Sequence, residues 1–102
     1  MKRINFSSGG KWEPLIGYSR AVRVGNQVFV SGCTAADKNG VVSGDAFEQT
    51  SKTLETVRLA LEGVGASLAD VVRTRMFLTD ISDWEAVEIG RASCRERVLM
   101  PV

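Results

Sequence analysis

The chain is 102 residues long, with 44% hydrophobic and 25% charged residues and a net charge of +1, which describes one ordinary globular domain and excludes a general electrostatic attraction to nucleic acid or anionic membrane. Histidine is absent, so Ser-His-Asp and Cys-His nucleophile systems, histidine general bases and nearly all zinc sites fall away. No apolar run approaches the roughly 20 residues that span a bilayer, and the opening Met1-Lys2-Arg3-Ile4-Asn5 lacks a signal-peptide core, so a cytoplasmic protein is expected.

Gly9, Gly10 and Pro14 mark an irregular opening loop. Residues 20–24 and 27–31 are β-rich runs separated by Gly25-Asn26, a pair that suits a type II′ turn. The resulting hairpin register places Val22 opposite Phe29 and Ala21 opposite Val30. Asp37-Lys38-Asn39-Gly40 is a second turn signal, running through Val41 and Val42 to Gly44.

Residues 45–64 carry the clearest pattern. Phe47, Thr50, Leu54, Val57, Leu61 and Val64 recur at helical spacing, Asp45 and Glu48 are placed to cap the start, and Gly65 to end it in a left-handed conformation. Residues 71–79 alternate as a strand, with Val72, Thr74, Met76 and Leu78 on one side and Arg73, Arg75 and Phe77 on the other. Ser82 with Glu85 then signals another helix, whose first apolar residues are Trp84 and Val87. The order strand, strand, helix, strand, helix predicts an α/β or α+β sheet covered by helices on one face.

Three segments together resemble the RidA (YjgF-like) family: Tyr18-Ser19-Arg20-Ala21-Val22-Arg23-Val24-Gly25-Asn26 running on to Ser31-Gly32; Gln49-Thr50 with Leu54, Val57, Leu61 and Gly65-Ala66; and Arg73-Thr74-Arg75-Met76-Phe77-Leu78-Thr79-Asp80-Ile81 with Asp83-Trp84. The resemblance implies a chorismate-mutase-like fold of two βαβ halves, incomplete here in its second half. It also implies a homotrimer in the full-length parent and hydrolysis of reactive 2-imino acids or enamines to 2-keto acids and ammonia, with no cofactor and no metal. It further implies a substrate-binding role for Tyr18, Ser31, Gly32 and Cys33 toward a small carboxylate-bearing metabolite. The family's arginine, which pairs with the substrate carboxylate, and its water-positioning glutamate lie on later strands that have no counterpart in these 102 residues, so no catalytic residue is assigned. A silent metabolite-binding relative and an RNA-acting or interaction protein are the alternatives.

Arg73 and Arg75, like Arg20 and Arg23, read as a solvated or salt-bridged face rather than a phosphate track, and Asp80 with Asp83 as a turn and helix cap. No basic neighbour in sequence marks Cys33 as a thiolate. After Val87 the apolar stripe gives way to a basic run, residues 88–98, which back-translates to something like a sequencing adapter. The expectation is a family-like domain over residues 1–87 and a non-native tail over 88–102, with few contacts to the sheet. Arg91-Ala92-Ser93-Cys94 imitates a strand motif of the family but follows Trp84 too closely to be that strand.

Overall fold

A computed structural model describes residues 2–98, with side chains through Arg91. Three antiparallel strands form a meander, β1 (Arg3–Phe6), β2 (Ala21–Val24) and β3 (Gln27–Val30), in that spatial order. A five-residue helix, α1 (Trp12–Ile16), bridges β1 and β2, and a long helix, α2 (Ala46–Gly63), follows β3. Two single 3-10 turns, Leu68–Asp70 and Ile81–Asp83, precede the last helix, α3 (Trp84–Val98).

The β2–β3 hairpin pairs Val22 with Phe29 and Ala21 with Val30, the register expected of its two-residue turn. Gly25 has φ of 59° while no non-glycine among the described residues has positive φ, which is the signature of type II′ at Gly25-Asn26. β1 was not read from the sequence. It pairs Ile4 with Arg23 and Phe6 with Ala21, so Phe6 stands over the smallest residue of β2.

Asp45 caps α2 by accepting from the Glu48 amide at 2.8 Å. At the other end Ala66 N–H donates to Leu61 and Gly65 N–H to Glu62, the two bonds of a Schellman motif, with Gly65 at φ 81°. Arg23 adds to this closure from β2: its Nη1 donates to the Val64 carbonyl at 2.9 Å. The arginine expected on a solvated face is thus a helix C-cap, well matched to the negative end of the helix dipole.

The core lies where α2 crosses the sheet. Ala21 and Ala60 are fully buried, Val64 nearly so, and Phe6, Val28, Val30 and Ala66 pack around them. Leu61 and Val64 carry the buried part of the α2 stripe, whereas Phe47 at its start is exposed. Glu55 and Glu62 flank Arg58 on the wet side, where their pairing raises the guanidinium's proton affinity.

Three expectations are corrected. Residues 71–79 join no ladder: the segment is extended at Val71 and again at Asp80, and among the described residues 72–79 make no backbone hydrogen bond. Alternation expresses the demand of a strand for neighbours on its edges and faces, and nothing in the described structure meets that demand. The turn before α3 is capped by Asp80 rather than Ser82: the Asp80 carboxylate accepts from the Ser82 amide at 3.0 Å and from its hydroxyl at 2.6 Å. Helical order does not stop at Val87. α3 lies on α2, with Val87 and Gly90 buried and Gly90 close to Thr50, and Arg91 pairs with Glu88 within the helix at 3.0 Å rather than standing on a strand.

Gly63 provides room for Phe6. A Cβ there would fall inside the Phe6 ring, so the helix must leave this position bare for β1 to close over it. Glycine to alanine in a helix ordinarily gains about 1 kcal/mol. Here Gly63→Ala is expected to lose roughly 1–3 kcal/mol through overpacking, measured by urea denaturation; a gain would show that Phe6 does not sit on α2. Trypsin is expected to cut first after Arg73 and Arg75, ahead of every site in β2 and α2, as read by mass spectrometry of a short digest.

Candidate functional site

The segment between β1 and β2 is organised by one acidic side chain. Glu13, on the first turn of α1, is 2% exposed. It accepts from the Ser8 amide at 3.1 Å, from the Ser8 hydroxyl, and from the Gly10 amide at 2.9 Å, so the loop Ser8-Gly9-Gly10 closes around its carboxylate. Arg20, at the entry to β2, supplies the counter-charge, with Nη2 3.7 Å from the carboxylate. Burial alone would raise the Glu13 pKa. The Ser8 and Gly10 donors and the Arg20 charge outweigh it and hold the group below its ordinary 4.5.

Arg20 in turn reaches the sequence-predicted site. Its Nη1 donates to the Gly32 carbonyl at 2.5 Å and to Cys33 Sγ at 3.6 Å, and its Nη2 donates to the Tyr18 hydroxyl oxygen at 3.3 Å. The guanidinium also lies 5.4 Å from the Tyr18 ring centroid. Ser31 is tied in separately: its hydroxyl donates to the Ser19 carbonyl at 2.7 Å and its amide to the Arg20 carbonyl at 2.9 Å. Tyr18, Ser31, Gly32 and Cys33 are therefore neighbours, joined through Arg20 and the end of the hairpin.

Cys33 does have a basic neighbour, contrary to the reading of its flanking sequence, because the neighbour comes from across the hairpin. The thiol is nonetheless held as S–H. Burial pushes its pKa above the ordinary value, Arg20 lowers it only in part, and Glu13 raises it again. The thiol donates to the Ser31 carbonyl at 3.2 Å. The Gly32 carbonyl is likewise engaged, accepting from Arg20.

Tyr18 differs from both. It lines an open cleft of about 400 Å³, walled by Gly9, Gly10, Glu13, Pro14 and Ser19. Its oxygen accepts from Arg20, and its own proton finds no acceptor among the described residues. Arg73 and Arg75 are exposed and form no ion pair among the described residues, and they lie outside this cluster. Glu13 escaped sequence reasoning because a lone carboxylate in a polar loop is ordinarily solvated. The available signal was Ser8-Gly9-Gly10 just before it, a run whose free amides a carboxylate can collect.

Comparison with known proteins gives one consistent answer. The family described as Endoribonuclease L-PSP matches residues 10–97. A RutC family protein of Pyrococcus abyssi is 40% identical over 74 residues, covering 71% of this chain and 58% of the relative. A 3-aminoacrylate deaminase, RutC, of Acinetobacter baylyi is 41% identical over 76 residues, covering 72% of this chain and 60% of its own length. These alignments thus span about three-fifths of each relative. Among solved structures, a member of the YjgF/YER057c/UK114 family from Mycobacterium tuberculosis superposes with a TM-score of 0.81 at 43% identity, covering 90% of this chain and 73% of that one.

Glu13 sets an acid limit on this part of the fold. Because its folded pKa lies below the unfolded one, its stabilisation is fully present above about pH 4.5 and is lost as pH falls through the lower folded value. Glu13→Gln is expected to cost roughly 1–3 kcal/mol at pH 7, and the gap to wild type is expected to narrow in melts taken at progressively lower pH below about 4.5. A gap that stays constant over that range would mean the carboxylate charge contributes nothing.

Proposed function

We propose, from the premise that this chain belongs to the endoribonuclease L-PSP family of RutC- and YjgF-like proteins, that its Tyr18 cleft binds a small carboxylate-bearing metabolite of the 2-imino or 2-keto acid class. The observation that carries this reading is the Tyr18 hydroxyl, whose oxygen is held by Arg20 and whose proton is free to donate into the cleft it lines. A ligand oxygen or a water molecule is a suitable acceptor. The deaminase name of the Acinetobacter relative supports the same class of substrate.

The reaction we propose for the whole protein is imine hydrolysis. Water adds to the C=N carbon, the nitrogen gains protons, and collapse of the tetrahedral adduct expels ammonia and leaves the 2-keto acid. In that scheme Tyr18 binds and orients, while Gly32 and Cys33 are tied to it through Arg20 and Ser31 through the Ser19 carbonyl. The carboxylate-binding arginine and the water-positioning glutamate of the family reading have no counterpart in these residues. Arg20 does not replace that arginine, since its charge is already matched by buried Glu13. A homotrimer is part of the same proposal. It is supported by apolar side chains left open to solvent, among them Leu15 at 70%, Ile16 at 69% and Phe29 at 60% exposure.

The 102-residue chain is expected to bind pyruvate, the keto-acid product of 2-aminoacrylate, and to release no ammonia from freshly generated 2-aminoacrylate above a no-protein control. Tyr18→Phe is expected to weaken pyruvate binding about fivefold, the worth of one hydrogen bond of about 1 kcal/mol. Absence of pyruvate binding would overturn the metabolite reading, and steeply salt-dependent RNA binding in its place would favour the ribonuclease alternative. Ammonia release above control would overturn the expected inactivity.

A further inference from the structure

Resting on the Tyr18 binding site just proposed, we infer that Arg20 is its positioning residue and Glu13 the counter-ion that holds Arg20 in place. Together they would make Tyr18 a hydrogen-bond donor to the ligand.

The inference follows from following each donor and acceptor. Both Nη atoms of Arg20 are committed, Nη1 to the Gly32 carbonyl and Cys33 Sγ, Nη2 to the Tyr18 oxygen and the Glu13 carboxylate. The Nη groups all face protein partners and the remaining Nε–H is buried, so Arg20 acts through Tyr18 rather than by contact. A phenol that accepts from a cation directs its own proton elsewhere, and Tyr18 lines the cleft. The same guanidinium holds the strand end at Gly32, so Tyr18 and Gly32 are spaced by one planar group.

Stability alone does not account for this arrangement. Arg20 is 9% exposed, and its Nε is buried with no acceptor among the described residues. A buried ion pair with an orphan donor is a poor way to hold two segments together, and apolar residues of similar volume commonly do it better. A group kept at that cost is kept for where it puts its neighbours.

Tyr18 is the sole tyrosine, so its 13Cζ resonance is a single-line reporter that needs no ligand. A second ligand-free reporter is the rate of Cys33 alkylation by iodoacetamide at pH 8, measured in a Cys94→Ser background. In Arg20→Met the tyrosine line is expected to move by more than its width. Cys33 alkylation is expected to slow at least about threefold, since the thiol loses its cationic neighbour and keeps the carboxylate. Pyruvate affinity is expected to fall about as far as in Tyr18→Phe. Arg20→Lys, which retains a charge but not the fork, should restore the alkylation rate without restoring the tyrosine line. Because Arg20→Met leaves Glu13 unpaired and could fail to fold, the double variant Glu13→Gln with Arg20→Met removes both charges, and its tyrosine line should move likewise. An unmoved tyrosine line in a folded Arg20 variant overturns the inference, whether or not wild type binds pyruvate. Lack of pyruvate binding by wild type, with both ligand-free reporters responding, would sink the metabolite reading and leave the positioning role standing.

Discussion

The contact between Glu13 and Arg20 links two parts of the chain that have little else to hold them together. α1 is five residues long, too short to be stable by itself, and most of its side chains face solvent. What keeps the β1–β2 connection against the sheet is a carboxylate that gathers the loop amides on one side and meets a guanidinium on the other. Arg20 then carries that constraint across the hairpin to Gly32 and Cys33. The hydrogen-bonded surroundings of Tyr18 therefore depend on a charge pair.

The core beside this charge pair is built differently. There α2 is locked by Asp45 at its start and by the Schellman turn and Arg23 at its end, and small residues at Ala21, Ala60 and Gly63 allow helix and strands to approach closely. Phe6 fills the remaining space. Arg23 within β2 and Arg20 just before it thus do unlike work: Arg23 satisfies helix carbonyls, whereas Arg20 joins Glu13, Tyr18, Gly32 and Cys33.

Local chemistry was legible in the sequence where one or two residues sufficed to specify it. Gly25-Asn26 determines the hairpin register, Asp45 and Gly65 mark the ends of α2, and the family wording around Tyr18 to Gly32 singled out side chains that do converge. What escaped was non-local. β1 is four residues whose strand character comes from pairing with β2, and the burial of Glu13 follows from Arg20, which is distant from it in the loop path. Residues 71–79 show the converse: a strong strand pattern without a partner remains an exposed segment, with Val72 99% and Phe77 85% accessible. The helical run beyond Val87 was missed because its contact face uses Gly90, which a search for apolar periodicity passes over.

The order in which the core residues occur along the chain has a consequence for biosynthesis. The Ala21, Ala60 and Val64 cluster and the Arg23 clasp on Val64 draw on nothing beyond Ala66, and the packing of α3 on α2 is added later. Contacts within this stretch are mostly between neighbouring elements, the kind that form quickly. A ribosome adding about 5–20 residues per second releases these residues before the unladdered segment and α3. The amino-terminal two-thirds can therefore consolidate during translation, and the exposed strand-like segment emerges onto a surface that is already formed.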